Sequence, residues 1–201
     1  MNEIWRNGLE ACSAKALSER LGITRSSFYN AFGSREALFK EALELYFSNA
    51  PDRVLAHVGA DASVLAVLTR VFREVCRVRA ADPEARGCMA INCVAELVGV
   101  DATLGPVMEG AVRRSLDRFE SLLRQAAANG EIRDSGDLKR KALALQNLLI
   151  GLNLMSKVVR SEEDLWTGVE LTLKGLGLYR HEGAPHPRSR RSASRKATPS
   201  R

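Results

Sequence analysis

Residues 13–39 read SAKALSERLGITRSSFYNAFGSREALF and predict two short helices joined by a tight turn, with a third helix starting directly behind them. Ser13, Thr24 and Ser34 stand where a hydroxyl caps the free amides of a first helical turn. Gly22 stands where the first helix ends, because glycine adopts a left-handed conformation without strain. This outline is a helix-turn-helix, which many DNA-binding proteins place in the major groove.

Apolar residues inside this segment recur at the four-residue spacing of a helix face. Leu17 and Leu21 form such a pair in the first helix, and Phe28 and Phe32 form another in the second. We expect the two pairs to face each other and to form the small core of the helix-turn-helix.

The other side chains of the second helix are suited to nucleic acid. The stretch from Ile23 to Arg35 contains no acid, and its polar residues carry hydroxyl, amide or guanidinium groups. Such groups contact phosphates, and Arg and Asn also hydrogen-bond base edges. A cation in a first helical turn, such as Arg35, opposes the helix dipole unless a phosphate binds there. The spacing alone also fits a helical hairpin with a polar face, so DNA binding is one of two interpretations.

A longer stretch, GLEACSAKALSERLGITRSSFYNAFGSREALFKEALELY at 8–46, resembles the signature of the TetR (tetracycline-repressor-like) family of bacterial transcriptional regulators. The resemblance implies an all-α fold, in which an N-terminal helix-turn-helix head precedes an antiparallel helical domain for ligand binding and dimerisation. It also implies a regulator, by the family's default a repressor, that binds a palindromic operator in double-stranded DNA as a homodimer. A small-molecule effector of unknown identity would release it.

On the matching positions, the resemblance makes residues 24–30 the recognition helix. Three side chains would hold phosphates, namely Thr24, Tyr29 and Arg35. Four would lie nearest the bases, namely Arg25, Ser26, Ser27 and Asn30. Many members carry His where this chain has Asn30, so the base preference does not transfer.

The first helix of the head departs from the family pattern. Six residues precede Asn7, and Ile4 and Trp5 correspond to the last turn of that helix. We expect either that the natural start lies upstream, which we favour, or that the head is weakened. A helical ligand-binding dimer with an impaired DNA-binding head is therefore the alternative function.

Apolar residues continue at helical spacing through the remaining chain, and no alternation typical of strands interrupts them. The predicted helices cover 63–78, 88–98, 102–129, 138–159 and 163–177. The chain is therefore predicted to be all-α, with a DNA-binding domain at 1–47 and a helical domain at 48–180.

The helix at 142–155, ALALQNLLIGLNLM, is apolar on almost every side and must be covered on both faces. One face would pack on its own domain and the other on a second copy. The last helix offers a similar apolar stripe, so we predict a two-fold dimer through a four-helix bundle, which the resemblance also implies. The predicted interface residues are Leu145, Leu149, Leu152, Trp166, Val169 and Leu173.

The resemblance implies an effector pocket inside the helices between about 55 and 160. We expect a mostly apolar lining with a few amides, because amides on apolar helices need partners. The predicted pocket residues are Phe72, Cys88, Met89, Asn92, Phe119 and Asn147. The apolar members also fit an ordinary core, so the pocket is one of two interpretations.

Cys88 follows Arg86 and Gly87 at the predicted start of a short helix. A helix N-terminus and a neighbouring guanidinium favour the thiolate, which reacts with electrophiles and oxidants. The stretch RGCMAINCVAEL at 86–97 also resembles a TetR subgroup that includes regulators responding to reactive aldehydes, acrylate-like compounds or oxidants. The alternative is that Cys88 and Cys93 are small buried hydrophobes.

Enzymes and metalloproteins fit this sequence poorly. Before residue 181 the chain has one histidine, His57, and it contains no C-x-x-C pair, nucleophile elbow or phosphate loop. We therefore expect no catalytic site, no metal and no cofactor. No apolar run of about eighteen residues and no basic-then-apolar leader occurs, which predicts a cytoplasmic protein without a membrane partner.

The segment 181–201 differs from the rest of the chain in composition and charge. It contributes most of the formal net charge of +6 and is rich in Ser, Pro and Arg, with almost no apolar residues. Its charged residues are Arg188, Arg190, Arg191, Arg195, Lys196 and Arg201, against Glu182. We predict a disordered basic tail, which either only solubilises the protein or adds non-specific attraction to DNA phosphates.

Overall fold

A computed structural model describes residues 1–133 and 136–181 of the chain. These residues form α-helices and one short 3-10 helix, at Arg53–His57, and they contain no strand, which confirms the predicted fold class. The helices are α1 (Asn2–Asn7), α2 (Ala14–Leu21), α3 (Arg25–Phe32), α4 (Arg35–Asn49), α5 (Val64–Ala80), α6 (Met89–Leu97), α7 (Gly105–Ala128), α8 (Leu138–Met155) and α9 (Glu162–Gly175). No helix among the described residues is long and apolar enough to cross a membrane. The tail predicted at 181–201 lies, apart from His181, outside the described residues.

Two predicted helices differ from the observed ones by three or four residues at one end, and the other three agree within two residues. α7 begins at Gly105 rather than at residue 102, because Asp101 accepts hydrogen bonds from the Thr103 and Leu104 amides at 2.8 and 2.7 Å. These bonds hold residues 101–104 in a turn that leads into the helix. α8 ends at Met155 rather than at residue 159, and the residues after it form a turn.

The buried side chains form two clusters. The first fills the space between α5, α7, α8 and α9, where Phe72 stacks on Phe119 with ring centroids 6.3 Å apart. The second contains the core of the head together with α6 and the start of α7, so Phe28 and Phe39 share a cluster with Met89. The head is therefore packed directly on α6.

Candidate DNA-binding surface and effector site

The predicted caps of the helix-turn-helix are confirmed. The Ser13 hydroxyl accepts from the Ala16 amide at 3.1 Å, and the Thr24 hydroxyl accepts from the Ser27 amide at 3.0 Å. Gly22 ends α2 with φ 65° and ψ 29°, a left-handed conformation that side chains with a Cβ rarely adopt. These local features fix the turn between α2 and α3.

Two of the four residues expected in the core of the helix-turn-helix are buried, and two are not. Leu17 and Phe28 are buried, but Leu21 is 55% exposed and Phe32 is only half-buried. Leu21 is the last residue of α2 and lies beside the turn. The core is completed instead by Phe39 of α4, which is fully buried.

Helix α3 exposes the side chains that the resemblance assigns to DNA. Phe28 is its one buried residue, and its first turn carries no acid. Tyr29 is 46% exposed, and its ring meets the Phe28 ring edge-on at 5.5 Å. The structure brings six of the seven predicted DNA-binding residues together on this exposed element, namely Thr24, Arg25, Ser26, Ser27, Tyr29 and Asn30.

Arg35, the seventh predicted residue, is turned into the protein. Its Nη2 donates to the Leu9 carbonyl at 2.6 Å, and its buried Nε has no partner among the described residues. Arg35 therefore braces α4 against the loop between α1 and α2. The structure gives it this internal contact where the sequence predicted a phosphate contact.

Helix α1 links the head to the rest of the protein. The Trp5 ring lies 5.2 Å from the Tyr46 ring and is covered by the Arg86 guanidinium at 4.1 Å. Arg6 pairs with Glu84 at 2.6 Å, and this hydrogen bond lowers the pKa of the Glu84 carboxyl. The short α1 thus contacts both α4 and the loop between α5 and α6.

A small cavity of about 70 Å³ lies between α4, α5, α6, α7 and α8. Of the six predicted pocket residues, only Cys88 lines it. Phe72 and Phe119 stack on each other in the core, and Met89 is fully buried in the other cluster. Asn92 donates to the Arg86 carbonyl at 2.9 Å, and Asn147 is exposed. Asn92 also lines a separate cleft of about 820 Å³ between α1, α6 and α8, whereas the other four residues line neither this cleft nor the small cavity. Helical periodicity does not separate a cavity lining from a packed core, so the effector pocket stays a prediction.

A chain of hydrogen bonds runs along the cavity wall. Arg79 is 4% exposed; its Nε donates to the Asn153 side-chain oxygen at 2.6 Å, and its Nη2 donates to the Tyr46 hydroxyl at 2.8 Å. Tyr46 in turn donates to the Cys88 sulfur at 3.1 Å. Burial raises the pKa of the Tyr46 hydroxyl, so it remains protonated and available as a donor. The chain joins α4, α5, α6 and α8.

Tyr46 and Arg79 line this cavity but are absent from the residues that the sequence predicted for the pocket. Tyr46 belongs to the buried face of α4, where a tyrosine has an ordinary role in the core. Arg79 follows Phe72 and Val75 on the buried face of α5, and a guanidinium at a core position is the signal that could have found it.

The surroundings of Cys88 differ from the prediction. It is the N-cap of α6, as expected, but it is only 9% exposed. The Arg86 guanidinium, predicted to favour the thiolate, instead binds Asp82 at 3.1 Å and covers the Trp5 ring. Gly87 has φ +66°, and a Cβ there would lie 2.8 Å from the Asn153 carbonyl oxygen. Glycine at this position therefore lets Cys88 approach α8.

The predicted dimer residues all face the protein's own core. Leu145, Leu149, Leu152, Trp166, Val169 and Leu173 are each at most 8% exposed within one chain. The outer face of α8 is apolar as well, with Leu143 at 44% and Leu154 at 57% exposure. Leu171 on α9 is 72% exposed. The six predicted interface residues therefore belong to the core of the single chain, and a pattern that is apolar on nearly all sides of α8 could not separate its inner face from its outer face. The dimer itself stays a prediction.

The sequence matches two family descriptions that together cover most of the chain. Residues 1–42 match "Bacterial regulatory proteins, tetR family". Residues 64–168 match "Tetracyclin repressor-like, C-terminal domain".

Individual relatives span nearly the whole chain. It is 29% identical over 172 residues to the uncharacterized HTH-type transcriptional regulator YezE of Bacillus subtilis (strain 168), covering 84% of this chain and 88% of that protein. It is 23% identical over 175 residues to the HTH-type transcriptional repressor ComR of Escherichia coli (strain K12), covering 87% and 83%. Among solved structures, a cysteine mutant of the TetR family transcriptional regulator CifR, complexed with 26 bp double-strand operator DNA, matches with a TM-score of 0.74. Its sequence identity is 26%, over 85% of this chain and 89% of that one.

Proposed function

Because this chain belongs to the TetR family of DNA-binding transcriptional regulators, we propose that it is a repressor that binds a palindromic operator as a homodimer and is released by a small molecule. It is not an enzyme. The observation that carries the proposal is the exposed, acid-free α3, capped by Thr24 at the end that meets phosphates. The similarity to CifR in complex with operator DNA supports the same role for this helix. In this proposal residues 1–47 read DNA and residues 48–180 sense the effector and dimerise.

Six side chains are proposed to contact DNA, namely Thr24, Arg25, Ser26, Ser27, Tyr29 and Asn30. Thr24 and Tyr29 bind phosphates, and the other four lie nearest the base edges. Arg35 positions the head through its bond to the Leu9 carbonyl rather than by binding a phosphate.

The dimer is proposed to form through the outward faces of α8 and α9. Leu143, Asn147, Ile150 and Leu154 follow one another at helical spacing on α8, and Leu171 stands exposed on α9. An exposed apolar stripe on two helices is typical of an interface between copies. A two-fold axis there pairs two heads, as a palindromic operator requires.

The effector is proposed to act through α6. Ala90, Ile91 and Val94 line the cavity, whereas Met89 and Cys93 belong to the cluster that contains the head. A cavity of about 70 Å³ is far below the roughly 300–1,000 Å³ of a drug-sized ligand pocket. A ligand that enlarges it must therefore displace α6, which moves the head and changes the spacing between the two recognition helices.

Cys88 supplies a second candidate trigger, because it lines the same cavity and accepts a hydrogen bond from Tyr46. That bond, supported by Arg79, holds the sulfur at the N-terminus of α6. Modification of Cys88 would add bulk at the N-terminus of α6.

A selection from random DNA duplexes tests the proposed function. We expect enrichment of a palindrome with two half-sites about one helical turn apart. If the purified dimer enriches no sequence, the alternative of a ligand-binding dimer with an impaired head replaces the proposal.

A further inference from the structure

Asp82 is a buried carboxylate in the loop between α5 and α6. It is 8% exposed, and its two oxygens accept from Nε and Nη2 of Arg86, each at 3.1 Å. The same oxygens accept from the backbone amides of Arg86 at 2.9 Å and of Glu84 at 3.3 Å. Although burial opposes ionisation, these hydrogen bonds lower the pKa of the Asp82 carboxyl, so it stays charged near neutral pH. A buried acid that accepts from four donors is expected to fix the conformation of the loop around it.

The loop that surrounds Asp82 contains a strained residue. Ala85 has φ +53°, in the left-handed region that residues with a Cβ rarely adopt. Such a conformation costs free energy and persists where the surrounding contacts hold it. The Ala85 amide donates to the Asp82 carbonyl at 3.1 Å, and both of its sequence neighbours donate their amides to the Asp82 carboxylate. We therefore expect the loop to relax when the carboxylate is lost.

The two residues that Asp82 holds both reach the first helix of the head. Arg86 covers the Trp5 ring at 4.1 Å. Glu84 accepts two hydrogen bonds from Arg6, at 2.6 and 3.0 Å. Trp5 and Arg6 belong to α1, so Asp82 acts on this helix through Arg86 and Glu84.

The backbone of Asp82 is joined to the other side of the protein. Arg160, which follows α8, donates from Nη2 to the Asp82 carbonyl. The loop therefore connects the C-terminal end of α8, in the helical domain, to α1, in the DNA-binding head.

We propose that Asp82 is a positioning residue for DNA binding, which fixes the orientation of the head by holding Arg86 against Trp5 and Glu84 against Arg6. Asp82 acts in this way without touching DNA. When its carboxylate is lost, α1 is released from the loop and the head takes several orientations, of which a fraction fits the operator. The apparent affinity falls by that fraction. The effect on operator affinity rests on the proposed function, whereas the link between Asp82 and α1 does not.

Fluorine NMR of the DNA-free protein tests the link between Asp82 and α1. The chain has two tryptophans, so labelling with fluorotryptophan gives two signals, which Trp166→Phe assigns. Arg86→Gln removes the cation over the Trp5 ring and should shift the Trp5 signal. Asp82→Asn should shift the Trp5 signal in the same direction and leave the Trp166 signal in place, because it frees Arg86 from the ring. An unmoved Trp5 signal in a folded Asp82→Asn protein would overturn the proposal, as would equal shifts of both signals, which indicate a general loss of packing.

Operator affinity measures the consequence for DNA binding. Asp82→Asn should lower the affinity about 5- to 30-fold. Arg86→Gln should add little to this loss in the double variant, because both substitutions break the same contact. The matched control combines Glu109→Gln with Arg113→Gln, because these residues form an exposed acid–arginine pair at the same four-residue spacing on α7. Additive losses in the Asp82 and Arg86 double variant, or an equal loss in the control, would contradict the positioning role.

A second variant covers the case in which Asp82→Asn does not fold. Arg6→Gln breaks the contact with Glu84 at a residue that is partly exposed, so we expect the fold to be kept. It should lower operator affinity by more than Arg113→Gln, which removes the same charge from an exposed residue of α7. Equal affinities of these two variants would contradict the proposal.

The two measurements separate this inference from the proposed function. A protein that binds no operator but shows the Trp5 shift contradicts the proposed function and not the link between Asp82 and α1. A protein whose Trp5 signal shifts while its operator affinity is unchanged contradicts the positioning role and not the repressor proposal.

Discussion

Glu96 of α6 accepts a hydrogen bond from the Leu9 amide at 3.0 Å, across 87 positions of the sequence. The other carboxylate oxygen accepts from the Glu10 amide at 2.6 Å, and Arg35 holds the Leu9 carbonyl from the opposite side. The loop between α1 and α2 is thus fixed by α6 and α4 together. Since α6 also lines the cavity, we infer that Glu96 transmits a shift of α6 to the DNA-binding head.

The substitution Glu96→Gln should weaken the attachment of the α1–α2 loop to α6. A glutamine oxygen can accept from one of the two amides, but its NH₂ group then faces the other amide, which loses its acceptor. We expect the free energy of unfolding to fall by about 1–2 kcal/mol and operator affinity to fall with it. Urea unfolding and a DNA-binding titration measure the two effects. Glu44→Gln is the control, because Glu44 is an exposed acid on α4 without an ion pair among the described residues; equal unfolding of the two variants would contradict the role of Glu96.

Alanine substitutions at Arg25 and Arg35 should have different effects on stability, although both residues lie in or near the recognition helix. Arg25 is exposed, so Arg25→Ala should reduce affinity for the selected operator by about 1–3 kcal/mol and leave the melting temperature unchanged. Arg35→Ala removes the bond to the Leu9 carbonyl and should lower both affinity and melting temperature. Fluorescence anisotropy and thermal melting check both effects, with Arg124→Gln as the charge control. If the Arg35→Ala protein is as stable as the unsubstituted chain, Arg35 does not brace the head, and the predicted phosphate contact becomes the better explanation.

The local features of the head could be predicted from the sequence, whereas the faces of the later helices could not. A capping hydrogen bond joins residues three positions apart, from Ala16 to Ser13 and from Ser27 to Thr24, so the local sequence predicts it. The inward face of α8 depends on which side meets α7 and α9. Because Leu145 and Leu154 are equally apolar, nothing in the pattern separates the buried one from the exposed one.

The residues around the small cavity could not be predicted from the sequence for a related reason. Its hydrogen-bonded chain takes Tyr46, Arg79, Cys88 and Asn153 from four different helices. Each of these side chains has an ordinary interpretation in its own helix, and only tertiary packing brings them together. Asn153 is an amide on an apolar helix and needs a partner, but that partner, Arg79, lies 74 positions away.

Charged residues on the outer faces of α8 and α9 should dissociate the dimer without unfolding the chain. Leu154→Glu and Leu171→Glu place carboxylates on exposed apolar positions, so each subunit keeps its core while the interface loses apolar contact. We expect sedimentation at micromolar concentration to shift from dimer to monomer. Val100→Glu, at a loop position that is 80% exposed, is the control. Leu145→Glu should unfold the protein instead; if Leu145→Glu gave a folded monomer, the buried face assigned to α8 would be wrong.

N-ethylmaleimide should modify Cys88 before Cys76 and Cys93. Burial raises the pKa of both of these thiols to about 12, so they remain protonated and unreactive near neutral pH. Cys88 instead accepts a hydrogen bond from Tyr46, and Tyr46→Phe should therefore slow its labelling, whereas Tyr179→Phe, a matched loss of a hydroxyl on the body, should not. Peptide mass spectrometry over a time course gives the rate at each cysteine, and operator release is followed in parallel. If the Cys88→Ser protein still releases the operator when treated with N-ethylmaleimide, Cys88 is not the trigger.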